Sequence, residues 1–264
     1  MTYDSIMSQL PQQESAFASC FAFSIHKCGS SMMHSMIAAV CKQMDLPAIS
    51  LPDTFFQNGI LEDTWANDPE VLPMFSKNLL YFGFRWLPPI FLNGNFDFRD
   101  KRFVLLVRDP RDALVSQYFS YGRKAASHVL PKNNPEAYQA VLASMGDSEI
   151  DEYVIRAAGG IKRKFISYQT ALDFDLGLLR RYEDIYFDKE TFLREIFTHF
   201  GMDIPPDIIA RVAKSNDIRP AQEDETKHIR KGTPGDHAEK LRPETIARLN
   251  DIFRDVGAFY GYKR

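Results

Sequence analysis

The chain has 264 residues, 45% of them apolar and 25% charged, with a formal net charge of −3. That is the composition of a globular protein with room for one large domain or two small ones. The slightly acidic balance excludes a broad electrostatic grip on nucleic acid, so any anion site must be a local basic cluster.

Three cysteines, Cys20, Cys28 and Cys41, show no metal-ligand spacing. An odd, small number fits a reducing compartment better than a disulfide framework. No apolar run reaches the ~20 residues of a membrane span. The opening MTYDSIMSQLPQQES lacks the basic and then apolar regions of a signal peptide. A cytoplasmic location is the resulting expectation.

Residues 1–15 are polar and expected to be loosely held, ahead of a domain over 16–264. AFASCFAFSI (16–25) is a nearly continuous apolar run, as in a strand covered on both faces. SSMMHSMIAAVCKQM (30–44) is helical, with Met33, Met36, Ile37 and Val40 on one face. Pro47 and Pro52 bracket a short strand, AIS. Residues 53–100 are rich in aromatics, densest in LLYFGFRWLPPIFL (79–92), and resist assignment. RFVLLVR (102–108) is the cleanest buried strand. Asp109 then suits a helix cap and Pro110 the first helical turn.

Residues 126–165 are polar and weakly helical, with a break expected at Gly159–Gly160. LGLLRRYED (176–184) reads as a strand, KETFLREIFTHFGM (189–202) as an amphipathic helix closed by Gly201, and 242–262 as a last helix. Strands alternate with helices, which predicts an α/β domain with a mainly parallel central sheet. Two α/β lobes are the alternative.

Three stretches carry chemistry. In SIHKCGSS (24–31) a strand stops in a glycine turn that feeds a helix. Backbone N–H groups and the helix dipole there attract an anion. Gly29 permits close approach, Ser30 and Ser31 add hydroxyls, and Lys27 adds a full charge. The ATP loop G-x-x-x-x-G-K-[ST] is different, because its lysine follows the last glycine. A surface turn with a solvated lysine is the plain alternative. VRDPRDALVSQYF sets Arg108 at a strand end and Ser116 in the next helix, with a capping and salt-bridge cluster as its plain alternative. HIRKGTPGDH holds Arg230, Lys231 and Gly232, or is simply a solvated basic loop. Three anion-type sites at strand ends of one sheet point to a ligand with more than one phosphate-like group.

These stretches resemble, in order, the motifs of sulfotransferases dependent on 3′-phosphoadenosine 5′-phosphosulfate (PAPS). SIHKCGSSM resembles the 5′-phosphosulfate loop T-Y-P-K-S-G-T-T-W. VRDPRDALVSQYF resembles the 3′-phosphate motif, LRRYEDI the strand with the Y-E-D element, and IRKGTPGDHAEKLRPE the late R-K-G-x-x-G-D-W loop. The resemblance spans residues 21–245 and implies one α/β domain, PAPS as co-substrate, and neither metal nor redox cofactor. It implies that Lys27 meets the bridging oxygen or sulfonate, and that Cys28, Gly29, Ser30 and Ser31 line the 5′-phosphate. Arg108 and Ser116 would hold the 3′-phosphate, with Arg230, Lys231 and Gly232 closing over it. Tyr182 and Met32 would meet the adenine. The acceptor would be a small molecule, lipid or glycan.

The chain departs from the pattern at His26, Met32 and His237, which replace proline, tryptophan and tryptophan. Asn216 stands where an adenine-stacking phenylalanine is common. Trp86, in FRWLPP, stands where the small-molecule branch has its histidine base. Branches with a carboxylate base place it just after the second strand, where AISLPDTF offers Asp53. Capping a turn or helix is the competing role for Asp53. Glu62, Asp63 and His26 are the reserve bases. The aromatics of 75–98 either line an acceptor pocket or form core, residues 122–165 are expected to lie over the acceptor, and His34 is expected to be a satisfied core histidine. A nucleotide-binding module without activity and an atypical P-loop kinase are the competing functions.

Overall fold

The structure is a computed structural model that describes residues 3–12, 17–92, 94, 96–121, 136, 148–220, 222–223 and 231–262. Five parallel strands form one sheet: β1 (Cys20–Ser24), β2 (Ala48–Ile49), β3 (Leu80–Tyr81), β4 (Arg102–Val107) and β5 (Gly177–Arg181), in the order β2-β3-β1-β4-β5. This is the single α/β domain the alternation predicts. Because every strand is parallel, all carboxyl ends meet at one edge. The chain leaves β1 toward β2 and β3 on one side and later adds β4 on the other. Such a reversal of strand order opens a site at that edge.

The strands alternate between two cores, as pleating requires. Phe21 and Phe23 of β1, with Phe103, Leu105 and Val107 of β4, face one apolar layer. Cys20, Ala22, Val104 and Leu106 face the other, with Met33, Met36, Ile37 and Val40. Those four come from α2 (Ser30–Gln43), so the helical spacing read from the sequence is the face that seals the sheet. In the first layer Phe21 stacks on Phe23 and Tyr81 at 5.5 and 5.2 Å, and Phe75, Phe84, Phe91, Phe96 and Phe98 pack around them. Apart from the half-buried Trp86, the dense aromatics of 75–98 are therefore core.

Residues expected to be held loosely include helix α1 (Tyr3–Met7), and Ile6 and Leu10 are buried in the first layer. Beyond β2 come α3 (Leu51–Gln57), α4 (Glu62–Trp65) and a 3-10 turn over Pro69–Phe75. After β4 comes α5 (Pro110–Tyr121), with Asp109 accepting the Arg111 N–H at 2.9 Å as the expected cap. Helix α6 (Ile150–Ala171) runs straight through Gly159–Gly160, where the sequence suggests a break. Its buried Tyr153, Val154, Ala158, Ile161, Phe165 and Tyr168 form one helical face. Packing of that face outweighs the ~1 kcal/mol each glycine costs a helix.

Strand β5 ends at Arg181, so the Y-E-D residues lie on a one-turn helix, α7 (Tyr182–Ile185), rather than on the strand. Then follow α8 (Lys189–His199), closed by Gly201 at φ 76°, α9 (Pro206–Ser215) and α10 (Asp236–Lys240). The expected last helix is two, α11 (Pro243–Ile252) and α12 (Arg254–Tyr260), parted at Phe253. Helix α6 packs on α5 and α11, and α10 packs on α5. No helix among the described residues is long and apolar enough to cross a membrane. Cys20, Cys28 and Cys41 are all buried and unpaired.

Candidate functional site

The loop between β1 and α2 lies at the carboxyl edge of the sheet. Ile25 N–H still bonds the Leu106 carbonyl at 3.3 Å, so the loop starts from a strand register that is fully specified. The chain then turns through two left-handed residues, Lys27 at φ 64° and Gly29 at φ 89°. A lysine in that region carries local strain, a cost that concentrates at working sites. Gly29 is required twice over. Its φ suits glycine, and a Cβ there would lie 2.7 Å from Cδ2 of Tyr182. Ser30 opens α2 and is buried, Ser31 is exposed, and Met32 is half-buried against the second core layer. Cys28 is buried, and burial pushes its thiol up. The Lys27 ammonium crosses to α5, where its Nζ donates to Ser120 Oγ at 2.5 Å.

Arg108, at the end of β4, is 7% exposed. Its guanidinium lies 4.7 Å from the ring centroid of Tyr182. Nη2 stands 3.6 Å from Asp112 and 3.5 Å from the Thr233 carbonyl. Its Nε is buried with no hydrogen-bond partner among the described residues. A buried cationic donor left unpaired is costly unless a ligand oxygen meets it. Asp109 instead holds Arg111, at 2.9 and 2.5 Å, and its own N–H donates to Glu183. The neighbouring charges are thus divided: Arg111 is structural, while Arg108 keeps a donor in reserve.

The late loop is tied to both. Tyr182 donates its hydroxyl to the Gly232 carbonyl at 2.7 Å. Asp112, 1% exposed, accepts the Gly235 N–H at 2.6 Å, the His237 N–H at 2.9 Å and His237 Nδ1 at 2.6 Å. Lys231 turns into its own loop, bonding Asp236 at 3.2 Å and Glu239 at 2.6 Å. Arg230 lies outside the described residues. Asp112, Ser116 and Ser120 recur every fourth residue on α5, so they share one face of that helix. Asp112 grips the late loop and Ser120 meets Lys27, which puts Ser116 between the two. Asn216 caps α9, donating to the Val212 carbonyl at 2.9 Å.

A second group of charges lies beside the loop. Asp53 is in the first turn of α3, where Ser50 is the N-cap. Ser50 Oγ accepts the Asp53 N–H at 3.3 Å and donates to Asp53 Oδ2 at 2.7 Å, while Arg85 Nη1 pairs with Oδ1 at 3.0 Å. Both Asp53 oxygens are thus engaged. Burial would push its carboxyl up, but Arg85, Ser50 and His34 hold it below the usual carboxylate range. Trp86 Nε1 donates to Glu62 Oε1. Lys164 of α6 lies 5.8 Å from the Trp86 ring centroid. Asp63 sits one residue along α4 and is exposed. His26 is pulled well below the ordinary imidazole range by burial and by Lys164, Lys27 and Arg85. His34 is buried as expected, but among the described residues neither ring nitrogen has a partner, and burial next to Arg85 drives it down to about 3.

Of the expected set, Gly29, Arg108 and Gly232 meet at Tyr182, Lys27 reaches Ser120, Ser116 lies on α5 between Asp112 and Ser120, and Lys231 turns into its own loop. Asp112 belongs to the capping and salt-bridge cluster that the sequence offers around Arg108, whereas Ser120, Arg85 and Lys164 carry no signal in the motifs. Ser120 was within reach of the helical spacing from Ser116, whereas Lys164 comes from a helix whose register the glycine pair obscured. Of the segment expected over the acceptor, 122–135 and 137–147 lie outside the described residues, and 150–165 belongs to α6.

The sulfotransferase domain family model matches residues 19–261. None of the curated proteins matches the sequence significantly. Among solved structures, the chain is similar to a mouse sulfotransferase in complex with PAP, at 16% identity and a TM-score of 0.60, covering 96% of this chain and 88% of that one. It is also similar to a sulfotransferase from Alicyclobacillus acidocaldarius, at 14% identity and a TM-score of 0.52, covering 95% and 98%. At these identities the two structures speak to the fold, which they share with this chain.

Proposed function

The chain belongs to the sulfotransferase family, and from that premise we propose that it moves a sulfuryl group from PAPS to the hydroxyl or amine of a small-molecule, lipid or glycan acceptor. The observation that carries this reading is the meeting of three donor-bearing segments on one tyrosine. Tyr182 touches Gly29 with its ring edge, Arg108 with its face and Gly232 with its hydroxyl.

The donor set fits a nucleotide with two separate anionic groups. The N-terminus of the 14-residue α2, with Cys28, Gly29, Ser30 and Ser31, suits the 5′-phosphosulfate. The orphaned Nε of Arg108, with Ser116 one helical turn beyond Asp112, suits the 3′-phosphate. Lys231 and Arg230 belong to the loop that would close over it. Met32 and Tyr182 are assigned to the adenine, and Tyr182 also packs on Arg108 and lies close to Gly29. Buried, unpaired thiols suit a cytoplasmic setting.

Sulfuryl transfer resembles phosphoryl transfer: the transition state is loose, and catalysis is mainly positioning and charge stabilisation. Charge grows on the oxygen that leaves with the nucleotide. Lys27 meets it there as a preorganised donor, a role worth ~3–4 kcal/mol. Asp53, with Arg85, is the carboxylate nearest the sequence expectation for a base, but its cap and its ion pair already use both oxygens.

The deciding experiment supplies doubly labelled donors to the full chain with a panel of alcohols, phenols, amines and sugars. Sulfated product from PAPS supports the proposal. Phosphorylated product from ATP points to a kinase, and binding of PAP without turnover points to a nucleotide-binding module.

A further inference from the structure

The base that the sequence leaves open has a better candidate than Asp53. We infer that Glu62 is the residue that takes the acceptor's proton, held in place by the indole N–H of Trp86 and faced by Lys164; this rests on the sulfotransferase reading above. The case starts from elimination. Asp53 accepts from Ser50 through one oxygen and from Arg85 through the other. Protonating it would break a helix cap and an ion pair at once. His26 is surrounded by the cations Lys27, Arg85 and Lys164, so an imidazolium there would be repelled from three sides. His34 lies buried within α2, its ring against Phe82.

Glu62 has the opposite character. Solvent reaches it, and among the described residues only one of its oxygens is bonded, to Trp86 Nε1. The second oxygen is left to meet a substrate. The surrounding protein nevertheless displaces enough water to push its carboxyl up, against the pull of Lys164, the Trp86 N–H and Arg85 and with the help of Asp63. Those same cations link it to the phosphosulfate loop, because Lys164 and Arg85 act on both Glu62 and His26. A carboxylate of raised affinity for protons is a stronger base, provided it is ionised at the working pH.

Trp86 explains a departure that looked like a loss. Where the small-molecule branch has a histidine, this chain has an indole, which can donate but not accept a proton. Trp86 is therefore a positioning residue, and the base has moved to the group that it holds. Lys164, 5.8 Å from the same ring, is itself pushed down by burial, which Glu62 partly offsets.

The step balances as follows. The acceptor O–H proton passes to the free oxygen of Glu62 as the acceptor oxygen bonds sulfur. The bond between sulfur and the bridging phosphate oxygen breaks, and its electron pair stays on that oxygen, facing Lys27. Glu62 then returns its proton to solvent, to which it is open.

The test follows loss of labelled sulfur from PAPS, to water and to 2-naphthol, across pH 5 to 9 with the full chain and the variants Glu62→Gln, Asp53→Asn and Trp86→Phe. PAP affinity is measured in parallel by calorimetry. Glu62→Gln is expected to lower turnover at least about tenfold with PAP affinity intact and to abolish the acid limb of the rate profile. Asp53→Asn is expected to keep that limb. Trp86→Phe keeps an aromatic ring but removes the donor that holds Glu62 and lowers its pKa, so the limb moves to higher pH and the plateau rate falls, though by less than in Glu62→Gln. An acid limb unchanged in both Glu62→Gln and Trp86→Phe overturns the inference and leaves the sulfotransferase reading standing. Failure of the unmodified chain to bind PAP or to consume PAPS overturns both.

Discussion

Asp112 and His237 are joined twice through a single oxygen: Asp112 Oδ1 accepts the His237 backbone N–H at 2.9 Å and the ring Nδ1–H at 2.6 Å. The other oxygen takes the Gly235 N–H and faces Arg108. One buried carboxylate on α5 therefore fastens the late loop and neutralises the site's arginine. His237 stands where the resembling G-D-W element has tryptophan, and in this chain that position makes a polar clasp.

This clasp predicts an acid-labile loop. Burial would push the Asp112 carboxyl up, but His237, Arg108 and two backbone N–H groups pull it down to about 2. A folded value below the unfolded one, near 3.9, means the stabilisation is present above about pH 4. It is lost as pH falls toward 2, with a total on the order of 2 kcal/mol. Asp112→Asn should cost about 3 kcal/mol at neutral pH, because it unpairs buried donors. Urea unfolding at pH 7 and pH 3 checks this. The gap between the two proteins should narrow at the lower pH, and a constant gap would remove Asp112 from the account.

The long apolar strands β1 and β4 and the one-sided helix α2 were legible because burial leaves a period in the sequence. Strand β3 was not, since two residues, Leu80–Tyr81, carry no period at all. The aromatics around it had two readings, and only tertiary packing separates a pocket from a core. Helix α6 was hidden by Gly159–Gly160, whose local penalty is overcome by contacts no local reading sees. For the site, residue types and order marked the anion loops, but the pairing of Lys27 with Ser120 and of Glu62 with Trp86 joins positions 93 and 24 residues apart.

Gly29→Ala tests the closeness of the loop to Tyr182. A left-handed φ costs a residue with a Cβ ~1–2 kcal/mol, and the methyl would also press on a ring that is itself buried, for roughly 1–3 kcal/mol more. Gly94→Ala is the control, because Gly94 has φ 72° but nothing within 4 Å of its added Cβ. The excess loss at position 29 in denaturant unfolding isolates the contact. Equal losses would mean the Tyr182 ring moves aside freely.

Lys27→Ala should lower turnover more than PAP affinity, since its contact strengthens as the leaving oxygen charges. A loss of ~3–4 kcal/mol corresponds to a few hundredfold in kcat. Ser120→Ala frees the ammonium from its hydroxyl partner and should change kcat by less than Lys27→Ala does. Single-turnover rates with PAPS separate chemistry from release. Full turnover in the Lys27 variant would overturn its role.

Arg108 makes the sharpest claim about the ligand. Among the described residues its buried Nε has no partner, and its guanidinium is held by Tyr182 and Asp112, so in the proposed site the donor is already oriented and would meet a 3′-phosphate without reorganisation. PAP, which carries both phosphates, should therefore stabilise the chain by ~2.7 kcal/mol at a hundredfold excess over Kd. For a chain of this size that is roughly a 5–10 °C rise in Tm. On the proposed assignment, adenosine 5′-phosphate would engage only the Gly29 loop and should raise Tm much less at the same concentration. Arg108→Ala should weaken PAP by about 1.5–3 kcal/mol, the worth of a charge-assisted hydrogen bond. It should leave the affinity for adenosine 5′-phosphate nearly unchanged, so the two nucleotides become alike in the variant. Equal shifts from both nucleotides in the unmodified chain would mean that Arg108 holds the fold rather than the ligand, through Asp112, Tyr182 and the Thr233 carbonyl.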